Sequence, residues 1–402
     1  MIWLRVFLPF ALAYYLSYLF RVVNAVIAPE LTAELALDAP SLGLLTSAYF
    51  ATFALVQLPL GVALDRYGPG RVNAGLMVFA ALGALAFALA ESVSMLVVAR
   101  GLIGFGVSAC LMAAFKAYVV HFPRDSLPRI NGLQMGAGGL GALTATVPVE
   151  AAMGVVGWRG VFFVLAGLTL LVAVLVFFSV PKGKPTAAGF RQQMMDLPVI
   201  FKSPLFWRIA PMTMAAQGGF IAIMGLWSGP WLADVAGLEQ SAVASQLFWN
   251  AAVMVVGFIG LGFVAERLGR SSLPPFAPVV GGLILFMAFE IPLALLVTEG
   301  HPLLWVGFAF FGTTGILAYA KLTQQFPPEL AGRLNASINM LVFLTSFAIQ
   351  WGAGWVIGLF EPTAGGGYAP EGYRAAFLLV LAFQLFGLVW YVIAGLKFRR
   401  PN

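Results

Sequence analysis

The sequence predicts an all-α membrane protein: twelve transmembrane helices arranged as two pseudo-symmetric six-helix bundles. Three observations lead there. Hydrophobic residues make up 61% of the chain and charged residues only 9%, against roughly a quarter charged in soluble domains, so the surface cannot be covered by charge. The apolar residues fall in continuous runs near or above ~20, enough to cross a bilayer core as helix, and they lack the alternation of a barrel strand. Finally, Gly61-Val-Ala-Leu-Asp65-Arg66-Tyr-Gly68 is echoed half a chain later by Gly262-Phe-Val-Ala-Glu266-Arg267-Leu-Gly269. Each copy stands where an apolar run stops, and each is followed by another arginine, Arg71 or Arg270.

The spans follow in order. The first, 6–28, is too long for a signal peptide, carries Arg21 and lacks a small-residue cleavage site, so it is retained. Spans two and three, 41–62 and 73–91, flank the first Gly–acid–Arg–Gly turn. The fourth, 95–120, holds Arg100 and Lys116, and the fifth, 129–150, is rich in glycine. Trp158-Arg159 opens the sixth, 158–180. The polar stretch from Val180 to Pro204 then reads as a linker with room for a short interfacial helix. It divides the chain into bundles 1–180 and 205–402, joined by 181–204. Beyond it run 206–230, 242–263, 274–297, 302–325, 335–359 and 373–396, with the second turn between the eighth and ninth. The Gly- and Pro-rich segment Glu361 to Gly372 precedes the last span.

The duplication recurs at other connections. Phe122-Pro123 with Arg129 and Asn131 matches Phe326-Pro327 with Arg333 and Asn335, Trp158-Arg159 matches Tyr373-Arg374, and Lys116 matches Lys321. On this map most of the 22 Lys and Arg fall on the side of the termini and most of the 16 acids on the other. That positive-inside bias places both termini in the cytoplasm, for an integral protein of a bacterial inner membrane, and no oligomer is required. The net charge of +6 is spread over loops rather than gathered on a basic face, which excludes a nucleic-acid partner. The single cysteine, Cys110, excludes an intrachain disulfide.

With these turns and repeats in view, the chain resembles the major facilitator superfamily of transporters. The Gly61–Arg71 loop is similar to the signature between that family's second and third helices, and Arg100-Gly101 to its second motif. The resemblance covers nearly the whole chain and implies two bundles rocking about a central cavity. It also implies that Asp65, Arg66 and Arg71, with Glu266 and Arg267 in the other half, act as a cytoplasmic gate. There an acid accepts backbone N–H groups at a helix N-terminus. The alternative is that these residues only mark tight turns. The glycines from Gly132 to Gly139 resemble the antiporter motif of the fifth helix, but Ala137 stands where that motif has proline. We read them as a packing face.

Charge inside a membrane is costly and usually functional. Four cations fall within spans, Arg21, Arg100, Lys116 and Lys321, against one deep carboxylate, Glu290. Tyr14, Ser17, Tyr18, Arg21 and Asn24 recur at helical spacing and form one polar stripe. Since the family's first helix lines its cavity, the resemblance makes Arg21 the leading substrate contact, flanked by Tyr14, Tyr18 and Asn24. The first helix also looks like that of members carrying phosphorylated or carboxylated solutes. Lys116 and Lys321 either face the cavity or snorkel to the inner interface. Arg100 lies on another face of its helix from Lys116 and is expected to tie helices together. Gln217, Gln246, Asn250 and Asn339 either bind substrate or bond between helices. Trp227 and Trp231 form a lid or an interfacial belt. Glu290 is the candidate proton carrier, with a structural pairing as its alternative.

The cavity is therefore expected to be net positive, suited to a small organic anion, a carboxylate or phosphate, held by charge-assisted hydrogen bonds. A proton or a counter-anion would drive the exchange. The second reading is a proton-coupled importer or exporter of a neutral or amphipathic compound. The resemblance implies that such carriers place a carboxylate in the first, fourth, seventh or tenth helix, and this chain has none there. No cluster of acids, histidines and nucleophile marks an enzyme. No metal-ligand spacing, cofactor motif or Walker loop is seen.

Overall fold

The computed structural model describes residues 2–123, 126–181, 197–269, 276–327, 330–363 and 366–397. Twelve helices carry the spans. In the first half these are α1 (Trp3–Val22), α2 (Ala39–Tyr67), α3 (Pro69–Ala88), α4 (Val93–His121), α5 (Leu127–Thr144) and α6 (Val147–Ser179). In the second they are α7 (Pro204–Asp234), α8 (Gln240–Gly269), α9 (Ala277–Ala294), α10 (His301–Thr323), α11 (Ala331–Ile357) and α12 (Pro370–Lys397). A further helix, Asn24–Leu35, prolongs α1. In the expected linker the described part is a short helix, Leu197–Phe201, and 182–196 lie outside the described residues.

Local chemistry sets the helix starts. The Asp38 side chain accepts from Ser41 N at the head of α2, Ser92 does so from Met95 N at α4, and Ser203 from Phe206 N at α7. Each satisfies one of the N–H groups that a first turn leaves bare. Proline in the first turn of α2, α3, α7 and α10 adds a residue whose missing N–H costs nothing there.

Among the described residues eleven helices are long and apolar enough to cross a membrane, and α5 falls short. Its run of glycines lowers its hydropathy, and the structure shows what the glycines are for. A Cβ on Gly138 would meet the rings of Tyr14 and Tyr18, and one on Gly141 the Tyr15 carbonyl. Small residues thus let α1 seat its tyrosines against α5. The fifth span is completed by the start of α6. Gly157, at φ +66°, is the non-helical residue where the chain turns into the sixth span, a conformation that glycine adopts without strain.

The two halves repeat their packing. In the first, α1 packs on α5, α2 and α3 on α4, and α3 on α6. In the second, α7 packs on α11, α8 and α9 on α10, and α9 on α12. Contacts between halves run along α2 with α11 and α5 with α8. The chain is an integral membrane protein of two six-helix bundles.

Candidate functional site

At the end opposite the termini, the distal end, the halves are pressed together. A Cβ on Gly354 of α11 would run into the Ala39 carbonyl of α2, and one on Gly43 would lie 2.9 Å from the Gln350 carbonyl. A Cβ on Gly229 of α7 would collide with the Ala25 carbonyl. Across the same seam Gln240 Nε2 donates to Val26 O at 2.8 Å and Tyr368 OH to Leu37 O at 3.1 Å. Asp234 holds Tyr368 in place by accepting from its N–H at 3.1 Å and from Tyr373 OH at 2.5 Å. Trp227 and Trp231 are fully buried beneath this seal, and Trp227 Nε1 donates to Gln350 O at 3.0 Å. Neither tryptophan forms the interfacial belt.

Below the seal a cavity of about 820 Å³ lies between the halves and extends to the exposed Gln324 and Gly332 near the other end. Tyr14, Ser17, Tyr18 and Arg21 of α1 line it together. The Arg21 guanidinium sits over the rings of Tyr18, Phe343 and Phe53, at 4.5, 5.1 and 5.5 Å from their centroids. Such faces attract a cation without neutralising it. Among the described residues no carboxylate pairs with Arg21, and its buried Nε has no hydrogen-bond partner. It is a half-buried positive charge facing an open space.

Opposite it stands Asn339 of α11, expected from the sequence, together with Tyr319, Thr323 and Asn335, which sequence reasoning did not place at the site. Tyr319 OH donates to Asn339 Oδ1 at 3.4 Å, and Asn339 Nδ2 to Gln57 Oε1 at 3.2 Å. Thr323 Oγ1 donates to Asn335 Oδ1 at 2.9 Å. The Gln57–Asn339 bond joins the halves, beside the Phe53 and Phe343 rings at 4.4 Å. Gln217 also lines the cavity, but its Nε2 donates to Gly312 O at 3.0 Å, a carbonyl just before the 3-10 turn Thr313–Gly315. Gln350 similarly donates to Ala222 O at 3.1 Å, where α7 loosens into a π turn over Ile223–Trp227. Irregular turns free carbonyls, and both glutamines satisfy them.

The other candidates lie outside the cavity lining. Asn24 Nδ2 donates to Thr46 Oγ1 at 3.1 Å. Gln246 Nε2 donates to Asn250 Oδ1 at 2.9 Å and to Pro302 O at 3.3 Å. Lys321 is half-buried on α10. Lys116 lies outside the cavity lining, and its ammonium is paired with Asp65. The expected partner of Asp65, a helix N-terminus, is thus joined or replaced by a lysine from α4. Arg66 and Arg71 are exposed, the former 5.3 Å from the Tyr67 ring centroid. The side chains of Glu266 and Arg267 lie outside the described ones, as does Arg270. Arg100 does tie helices together: fully buried on α4, it donates from Nη1 to Phe20 O at 3.0 Å and lies over Tyr49. Glu290 is buried away from the cavity, with Oε2 accepting from Gln384 Nε2 at 2.7 Å. At the distal rim, Glu34 bonds Trp158 Nε1 and pairs with Arg159, which together hold its carboxyl below the usual range.

Comparison with known proteins agrees with this architecture. Residues 10–350 match the family described as Major Facilitator Superfamily. The chain is 25% identical over 348 residues to the "Probable sulfoacetate transporter" of Cupriavidus necator, covering 80% of this chain and 79% of that one. It is 25% identical over 369 residues to the "Probable L-galactonate transporter" of Escherichia coli, covering 83% and 77%. A bacterial homologue of the human lysosomal transporter Spinster, solved in an inward-facing and occupied conformation, superposes with a TM-score of 0.80. At 19% identity it covers 98% of each chain, a likeness of fold.

Proposed function

Because the chain belongs to the Major Facilitator Superfamily, we propose that it is a secondary transporter carrying a small organic anion across a bacterial inner membrane by alternating access. One observation carries the reading: Arg21 faces the cavity and, among the described residues, has no carboxylate partner. A half-buried cation without a carboxylate partner in that position favours an anionic ligand, since binding would supply the missing counter-charge. Tyr14 and Tyr18 flank it, and Asn339 and Gln217 stand on the opposite half. The sulfoacetate and galactonate relatives also carry anions by name.

With the termini in the cytoplasm, as the charge distribution favours, the sealed end faces outward and the cavity opens inward. Asp65, Arg66 and Arg71 then stand at the inner end of the first bundle, where the Asp65–Lys116 pair would be strained or broken as the gate works. Glu266 and Arg267 take the equivalent place in the second. Transport is driven by a counter-anion or by a proton, with Glu290 as its carrier, and the protein acts as a monomer. The second reading, a proton-coupled carrier of neutral or amphipathic compounds, draws on the many Phe and Met side chains around the cavity.

Thermal denaturation of the purified protein tests the choice. Organic anions should raise the melting temperature, and Arg21→Ala should remove that rise while leaving the ligand-free fold intact. Stabilisation by neutral compounds alone, or an unchanged response in the variant, would overturn the anion reading.

A further inference from the structure

The cavity is more restrictive than a simple anion site. Arg21 is the one charged side chain that lines it among the described residues, and Lys116 is already committed to Asp65. A single positive charge in apolar surroundings compensates one negative charge. A second would enter without a partner, which is costly.

Most of the polar side chains of the lining are also engaged. Tyr14 OH points to Met135 Sδ at 3.6 Å. Gln57, Asn339 and Tyr319 bond one another, Thr323 bonds Asn335, and Gln217 bonds backbone. A polyhydroxylated acid brings several hydroxyls that each need a partner, and each one left unpaired weakens binding by about tenfold or more. The rest of the wall is apolar and deformable: Met112, Met135, Met224, Met254, Phe115 and Phe258. Methionine is unbranched and polarisable, so it moulds to apolar ligands and to aromatic rings. At about 820 Å³ the space falls in the range of pockets that enclose drug-sized molecules, far larger than a two-carbon anion fills.

We propose that the cargo is an amphipathic monoanion, a monocarboxylate or comparable oxyanion with an alkyl or aryl body, rather than a sugar acid, a dianion or an inorganic ion. The proposal rests on the reading of Arg21 as the anion site. The charged head pairs with the guanidinium near the three aromatic rings, and the apolar body lies along the methionines. This class joins the two readings above, since such a molecule is both anionic and amphipathic.

The experiment uses the full-length protein in lipid nanodiscs, with affinities from thermal shifts and competition at constant ionic strength. The probes are acetate, butyrate, hexanoate, phenylacetate, D-galactonate, glutarate and the neutral 2-phenylethanol. Along the alkyl series each added methylene should tighten binding about fourfold (about 0.8 kcal/mol) until the cavity is filled. Phenylacetate should bind well above galactonate, glutarate and 2-phenylethanol. In Met224→Gln the chain-length dependence should flatten, and in Arg21→Gln phenylacetate should fall to the level of 2-phenylethanol. A flat alkyl series, or tighter binding of galactonate or glutarate, overturns the amphipathic class and leaves the anion reading standing. Equal binding of 2-phenylethanol and phenylacetate by the unaltered protein, or no binding by any anion, overturns the anion reading and the proposal with it.

Discussion

Replacing Gly354 by alanine should open the distal seal. The new Cβ would point at the Ala39 carbonyl and lie 3.1 Å from Trp227 Cζ2. Neither obstacle is a side chain that can swing away: one is backbone of the opposite half, the other the ring of a fully buried tryptophan. The reciprocal contact, Gly43 against Gln350 O at 2.9 Å, shows that α2 and α11 are close over adjoining turns. Overpacking of this kind costs about 1–3 kcal/mol. Because the clash exists only while the halves are pressed together, that energy acts on the conformational equilibrium, shifting it roughly 5- to 150-fold toward the distally open state. Spin labels report it directly. With Cys110→Ala removing the one native thiol, Glu91→Cys and Leu303→Cys place labels on exposed distal positions of the two halves. Double electron–electron resonance should then show a longer distance population that the parent lacks. Gly167→Ala, whose Cβ meets nothing within 4 Å, serves as control. An unchanged distance distribution in Gly354→Ala would refute the idea that close glycine contact holds this end shut.

Three further outcomes follow from contacts elsewhere. Asp65→Asn and Lys116→Met should be coupled in a double-mutant cycle of ligand-free stability by about 0.5–3 kcal/mol; additive effects would mean the pair is not formed in solution. Gln384→Leu deprives the buried Glu290 carboxyl of its donor and should lower stability by about 1–3 kcal/mol, whereas Glu290→Gln, which retains an acceptor oxygen, should cost less. Finally, Glu34 has its carboxyl pKa lowered by Trp158 and Arg159. Its contribution is therefore complete above the unfolded glutamate value, ~4.3, and is lost as pH falls through the lower folded value. The melting temperature of Glu34→Gln should fall less on acidification from pH 6 to 3.5 than that of the parent.

Much of the fold was legible because it rests on local patterns. Apolar runs locate helices, and the paired Gly–acid–Arg–Gly turns mark corresponding loops. The glycine-rich fifth helix falls short of the length and apolarity of a span when taken alone, yet the run 129–150 still marks its place. The α1 stripe from Tyr14 to Arg21 lines the cavity because those residues share one face of one helix. Asn24 leaves that company where the chain passes into the next helix and bonds Thr46 instead. What spacing cannot reveal is pairing across helices. Lys116 and Asp65 sit on different spans, so their union has no periodic signature. The Gln57–Asn339–Tyr319 chain is invisible for the same reason, drawing one member from each of three helices. Gln217 and Gln350 answered to irregular turns that no sequence pattern announced.

The turn at Gly157 bears on how the protein is made. With a single non-helical residue between the fifth and sixth spans, neither has slack to wait at the membrane surface for the other. The two should leave the translocation channel as a helical hairpin. The strongly apolar sixth helix would draw its glycine-rich predecessor into lipid. The glycines of the fifth helix would then be in place to receive the tyrosines beside Arg21.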